Sequence, residues 1–102
     1  MSWYVYLIEC ANGHLYTGIS NDVVARFCTH LAGKGARYTR ANPPRRLAAV
    51  IPHADRASAS REEHAVKQLS AVQKRALCAQ YPVPADLLAA LPAHAGSTPS
   101  PG

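Results

Sequence analysis

The chain opens with two strand-like runs joined by a single turn signal, and this pairing constrains the fold more than any other feature. Trp3 to Cys10, WYVYLIEC, is apolar and aromatic, Ala11-Asn12-Gly13 is turn-forming, and Leu15 to Ser20 reads as the partner strand. Aromatic residues favour strands, so Tyr4, Tyr6 and Tyr16 can be plain sheet residues. The length of the loop decides where they point. With Asn12-Gly13 alone as the turn, Tyr6 faces Ile19, and Tyr6 and Tyr16 lie on opposite faces of the sheet. With a loop of Ala11 to Gly13, Cys10 pairs with His14 and Tyr6 with Gly18. The two tyrosines then become diagonal neighbours on one face, roughly 7–8 Å apart. Gly13 suits the left-handed position of such a bulged loop. Propensity alone leaves both loops open.

Beyond the hairpin, Ser20 or Asn21 is placed to cap a first helix, with Asp22 at its positive end. Val23, Phe27 and Leu31 give that helix an apolar stripe, and it should end near Gly33. A third strand, containing LAAVI between Arg46 and Ala54, is expected at the centre of the sheet. Asp55 or Ser58 caps a long helix running towards Leu69, and Ser70 restarts another through Ala79. Pro82 and Pro84 are expected to close a folded part spanning residues 1–81. The Pro-rich segment 82–102 then carries one short helix at 85–91, with disorder over PAHAGSTPSPG. The order β-β-α-β-α-α predicts a small α/β domain, its short three-stranded sheet flanked by helices.

With 102 residues, 48% of them hydrophobic and 17% charged, the chain has the composition of one globular domain. It contains no apolar run long enough to span a bilayer and begins without a signal-peptide pattern, so a cytoplasmic protein without a membrane partner is expected. Cys10, Cys28 and Cys78 are far apart and read as reduced thiols, and the five histidines lack the spacing of zinc ligands. A net charge of +5 favours a polyanionic partner. In GKGARYTRANPPRR, Lys34, Arg37, Arg40, Arg45 and Arg46 surround Tyr38 with no acid among them. That segment reads as a loop or short turn. Phosphate contacts beside a stacking ring suit nucleic acid, and a solvated basic loop is the plainer alternative.

YVY at Tyr4 to Tyr6 and YTG at Tyr16 to Gly18 resemble the paired motif of the GIY-YIG nuclease domain, with Tyr4 in place of the first glycine of that name. Arg26 and His30 on the first helix and Glu63 on the second follow in matching order. The segment REEHAVKQLS around Glu63 is similar to small stand-alone bacterial GIY-YIG proteins, and the likeness covers roughly residues 2 to 80. The N-terminal endonuclease domain of the excision-repair incision subunit is a larger relative of the same kind. In that family both tyrosines face one active site, so the resemblance selects the three-residue loop.

The resemblance implies a metal-dependent DNA endonuclease, directed by structure and acting in repair or processing of nucleic acid. Tyr6 would be base or water-positioner, and Tyr16 would orient water and phosphate. Arg26 would fork onto phosphate oxygens, and His30 would be an alternative base or a phosphate contact. Glu63, preferred to Glu62, would hold one Mg²⁺ or Mn²⁺. A free tyrosine has a pKa of about 10, and Arg26 with the metal is expected to lower that of Tyr6. Gly18, Lys34, Arg37, Tyr38, Arg40, Arg45, Arg46 and Lys67 would contact DNA, or RNA, mainly along the backbone. Glu63 and Lys67 also have the spacing of a helix-stabilising pair worth about 0.2–0.5 kcal/mol. No partner protein is implied, and a monomer or weak dimer is expected. Two positions depart from larger relatives: Ser20-Asn21-Asp22 stands where many carry a lysine, and Arg75 where many carry an asparagine. The rival reading is a non-catalytic basic nucleic-acid-binding module on the same fold. A tyrosine attacking phosphate covalently would instead leave a protein–DNA adduct, a chemistry to which Arg26 and a lone carboxylate are less suited.

Overall fold

The structure, a computed structural model, describes residues 2–92. The tail PAHAGSTPSPG, expected to be disordered, lies outside the described residues except for its first residue, Pro92. Strands β1 (Trp3–Cys10) and β2 (Leu15–Ser20) form the hairpin, followed by helices α1 (Val23–Leu31) and α2 (Arg37–Ala41). Strand β3 (Pro44–His53) then leads into α3 (Arg56–Lys67), α4 (Ala71–Gln80) and α5 (Ala85–Ala90). The fold is thus the expected α/β type, a three-stranded sheet between helical layers, with α2 added where a loop or short turn was expected.

The hairpin register pairs Tyr6 with Gly18 and Ile8 with Tyr16, which is the three-residue loop. Gly13 takes φ +84° there, a left-handed conformation that costs a glycine little. Tyr6 and Tyr16 therefore share a face. The sheet order is β2-β1-β3, all antiparallel, so β1 is central and β3 is an edge, contrary to the expectation for LAAVI. An unbroken apolar run reports burial on both faces, and here helices cover both faces of the edge strand as well. Leu47 to Ile51 are all buried although only one side of β3 pairs with another strand.

Alternation along β1 divides the interior into two clusters. Tyr6, Ile8 and Cys10 pack with Val23 and Phe27 of α1, and Val5, Leu7 and Ile51 pack with Ala59 and Val66 of α3. Leu91 is buried in the first cluster, with Val83 and Leu87 against it. The packed chain therefore continues past Pro82 and Pro84, which were expected to close it. Those apolar residues are spaced too sparsely among prolines and alanines to signal a packed segment on their own.

The helix starts follow from short polar side chains. Asp22, rather than Ser20 or Asn21, caps α1 by accepting from Ala25 N, and the Ser20 hydroxyl accepts from Asp22 N. Asp55 caps α3 through Ser58 N, and Ser70 with Gln73 forms a reciprocal capping box on α4. No helix among the described residues is long and apolar enough to cross a membrane.

Candidate active site

Tyr6 reaches the site from the middle of the sheet. Its neighbour across the hairpin is Gly18, and a Cβ at Gly18 would overlap the Tyr6 hydroxyl and ring. Gly18 was expected to admit a phosphate, but the protein's own tyrosine fills that space. The phenol of the central strand thereby extends over the edge strand β2.

A directed chain of hydrogen bonds follows. The Tyr6 hydroxyl is 2.9 Å from His30 Nε2, His30 Nδ1 is 2.8 Å from Thr39 Oγ1, and Thr39 Oγ1 is 2.9 Å from the Ala36 carbonyl. A carbonyl only accepts, so Thr39 donates its single proton to Ala36 and accepts from His30 Nδ1–H. That leaves Nε2 bare to accept from Tyr6. Helix α1 supplies His30 and α2 supplies Thr39, so the short helix in the basic segment has an evident role. Gly35 leaves the room, because a Cβ there would overlap the His30 ring.

Burial sets the charge states. Desolvation pushes the Tyr6 phenol up to about 12, with Tyr16 and Glu63 adding to the rise and the Arg26 guanidinium opposing it. Arg26 does favour phenolate, as expected, but burial outweighs it. His30 is held down to about 4, first by desolvation and then by the charge of Arg26. It is therefore neutral at pH 7. Both of its ring nitrogens are engaged, by Tyr6 and by Thr39, so it is also not available as a phosphate contact. The pattern of one histidine a turn after an arginine could not reveal this, because burial depends on α2 folding over the ring.

This buried histidine has a consequence for stability. The unfolded chain takes up the proton near pH 6.5 and the folded chain only near 4, so the unfolded state holds more protons between those values. Stability should fall as pH drops from 6.5 towards 4 and be level above 6.5 as far as this group is concerned. Urea midpoints should show a loss of about 2 kcal/mol between pH 6.5 and 5, and His30→Gln should flatten that slope. An unchanged midpoint across this range in the parent chain would mean that His30 is not a buried neutral group.

Around this chain of bonds, the Tyr16 ring packs edge-on to His30 with centroids 5.4 Å apart and lies nearly parallel to Tyr38 at 6.1 Å. Asn12 of the hairpin loop donates to the Tyr38 hydroxyl at 2.9 Å. Glu63 comes from the opposite layer. On α3 it falls between the buried Ala59 and Val66, facing the sheet, and its charge is felt at Tyr6. Lys67 lies 3.4 Å from it, the helix pair that its spacing allows. Glu62 is engaged elsewhere, 2.6 Å from His53 Nε2.

The five cations of the basic segment are not one patch. Lys34, Arg37 and Arg40 are exposed on α2 and the turn before it. Arg45 donates to the Ala11 carbonyl at 3.0 Å, and Arg46 pairs with Glu9 at 2.8 Å. These last two brace the hairpin. Arg75, at the position of the family asparagine, donates to the Gly13 carbonyl and also lies 3.6 Å from Glu9. Thr39 and Gly35 were not singled out from the sequence. Their signal was a small residue and a hydroxyl in a segment whose cations dominated its reading.

The model of the GIY-YIG catalytic domain matches residues 2–76. A UPF0213 protein of Cupriavidus necator is 47% identical over 81 residues, 79% of this chain and 88% of that one. Another, from Xanthomonas axonopodis pv. citri, is 55% identical over 74 residues, 72% of each. The solution NMR structure of a UPF0213 protein from Bacillus halodurans shares the fold with a TM-score of 0.52 and 40% identity, covering 85% of this chain and 93% of that one. A match to this catalytic domain implies nuclease-type activity and nucleic-acid binding. With the domain match spanning most of its length, the chain belongs to the GIY-YIG catalytic domain family.

Proposed function

We propose that the chain is a divalent-metal-dependent endonuclease that hydrolyses phosphodiester bonds in DNA, selecting substrates by structure in repair or processing. The observation that carries this reading is the hydrogen-bonded run from Tyr6 through His30 to Thr39, with Arg26 and Glu63 acting on the same phenol. A free phenolate is scarce at neutral pH when its pKa is about 12. The bare Nε2 of His30 offers another route. Tyr6 can take a proton from an attacking water while passing its own to His30, so the charge falls briefly on the imidazole, whose pKa of about 4 makes it give the proton back readily. Arg26, exposed on α1, would fork onto non-bridging phosphate oxygens. Tyr16 would orient the water and the phosphate.

The donor set fits a hard cation. Among the described residues no group of three or more His, Cys, Asp or Glu side chains could hold a metal, and Glu63 is a lone carboxylate whose charge reaches the Tyr6 phenol. That suits one Mg²⁺ or Mn²⁺, ions that keep several of their waters and use few protein ligands. When bound, the ion supplies neutralisation of charge on the phosphoryl group and on the leaving 3′ oxygen.

The direct test is cleavage of labelled linear, branched and single-stranded DNA with Mg²⁺ or Mn²⁺, beside identically purified Glu63→Ala. Cleavage by the parent chain and a loss of at least about 100-fold in the variant are expected, consistent with removal of a principal electrostatic stabiliser. Equal cleavage by both would overturn the assignment of Glu63. Salt-sensitive binding with no cleavage under any condition would leave a binding module instead.

A further inference from the structure

A cavity of about 390 Å³ adjoins the candidate active site and is not used by the chemistry above. It lies between the hairpin and the α3–α4 junction, lined by Tyr16, Thr17, Tyr38, Lys67, Lys74 and Arg75 among others. Tyr16 belongs to both, so an occupant of the cavity would be next to a phosphate at Tyr6. Its volume is at the small end of ligand pockets, which run from about 300 to 1,000 Å³, and suits one planar ring with its sugar rather than a base pair.

Two features describe the occupant. The near-parallel rings of Tyr16 and Tyr38 form an aromatic wall, with Tyr38 held by Asn12 and 37% exposed. Lys74, half-buried at the same cavity, has no ion pair among the described residues, whereas Lys67 and Arg75 are engaged by Glu63 and Glu9. An aromatic wall and an uncommitted cation match a planar heterocycle followed by a phosphate.

We propose that this cavity takes one unpaired nucleobase of the nucleotide beside the scissile phosphate, stacked on the Tyr16–Tyr38 wall, with Lys74 on its flanking phosphate. The proposal rests on the nuclease reading and deepens it: the preferred substrate has a single-stranded or frayed nucleotide at the cut. A fully paired duplex would have to surrender a base first.

The test compares two labelled single strands of equal length and charge, an oligodeoxythymidylate and the same sugar–phosphate chain without bases. Affinities are read by fluorescence anisotropy in EDTA, so no cleavage intervenes. The parent chain should bind the thymidylate about tenfold more tightly than the abasic strand, a typical effect of one stacked base. Tyr38→Ala should bring that ratio close to one. A ratio near one in the parent chain, with salt-sensitive binding to both strands, overturns the pocket and leaves the nuclease reading standing. A high ratio that survives Tyr38→Ala also overturns it, because the base is then read elsewhere. Failure to bind either strand overturns both proposals.

Discussion

Tyr6→Phe is expected to cleave DNA on the order of 10²–10⁴-fold more slowly than the parent chain, the range of a positioned proton-transfer group. The substitution removes one oxygen and keeps the ring, so the packing around Gly18 and Phe27 stays in place. What is lost is the donor to His30 Nε2, 2.9 Å away, and with it the proposed exit for a proton taken from water. The fold pays a smaller penalty. His30 is left with a buried, unpartnered acceptor, which should cost about 1–3 kcal/mol. Single-turnover cleavage at saturating protein, read beside the urea midpoint, separates the two effects. A variant that is modestly destabilised and cleaves at the parental rate would remove Tyr6 from proton handling and shift that role to Tyr16.

Gly18→Ala should damage both folding and cleavage. The added Cβ would overlap the Tyr6 hydroxyl and ring, and that ring is only 1% exposed, so it has little room to withdraw. Overpacking a close contact of this kind costs about 1–3 kcal/mol, a fall in melting temperature on the order of 10 °C for a domain of this size. Adding Tyr6→Leu to Gly18→Ala removes the ring that the methyl group meets. The pair should regain part of the lost melting temperature and none of the cleavage. Additive destabilisation by the two changes would show that Gly18 is constrained by something other than this ring.

These two positions also show how far the sequence could be read. Spacing offered two hairpin registers and only the family resemblance chose between them, whereas the reason for the glycine is a contact across strands that no pairwise spacing reveals. The helix starts were legible within a residue or two, because Asp22, Asp55 and Ser70 are short polar side chains ahead of apolar stripes. The centrality of β3 was misread because LAAVI shows burial on both faces and says nothing about strand neighbours. Arg26, His30 and Glu63 were legible as a set. The state of His30 was not, since it depends on Thr39 and on a five-residue helix whose sequence is dominated by charge.

Glu63 stands in a different packing layer from the tyrosine it acts on. The Tyr6–His30–Thr39 run is braced by the cluster around Phe27, whereas Glu63 is carried by a helix seated on Val5 and Leu7 through Ala59 and Val66. The tyrosine–histidine run and the carboxylate thus rest on separate foundations. On the proposed mechanism, loosening the second foundation alone would leave the proton route in place and displace the carboxylate that is proposed to hold the metal. Damage far from the phosphate could in this way silence turnover while the spectroscopic signature of the tyrosine–histidine contact persists.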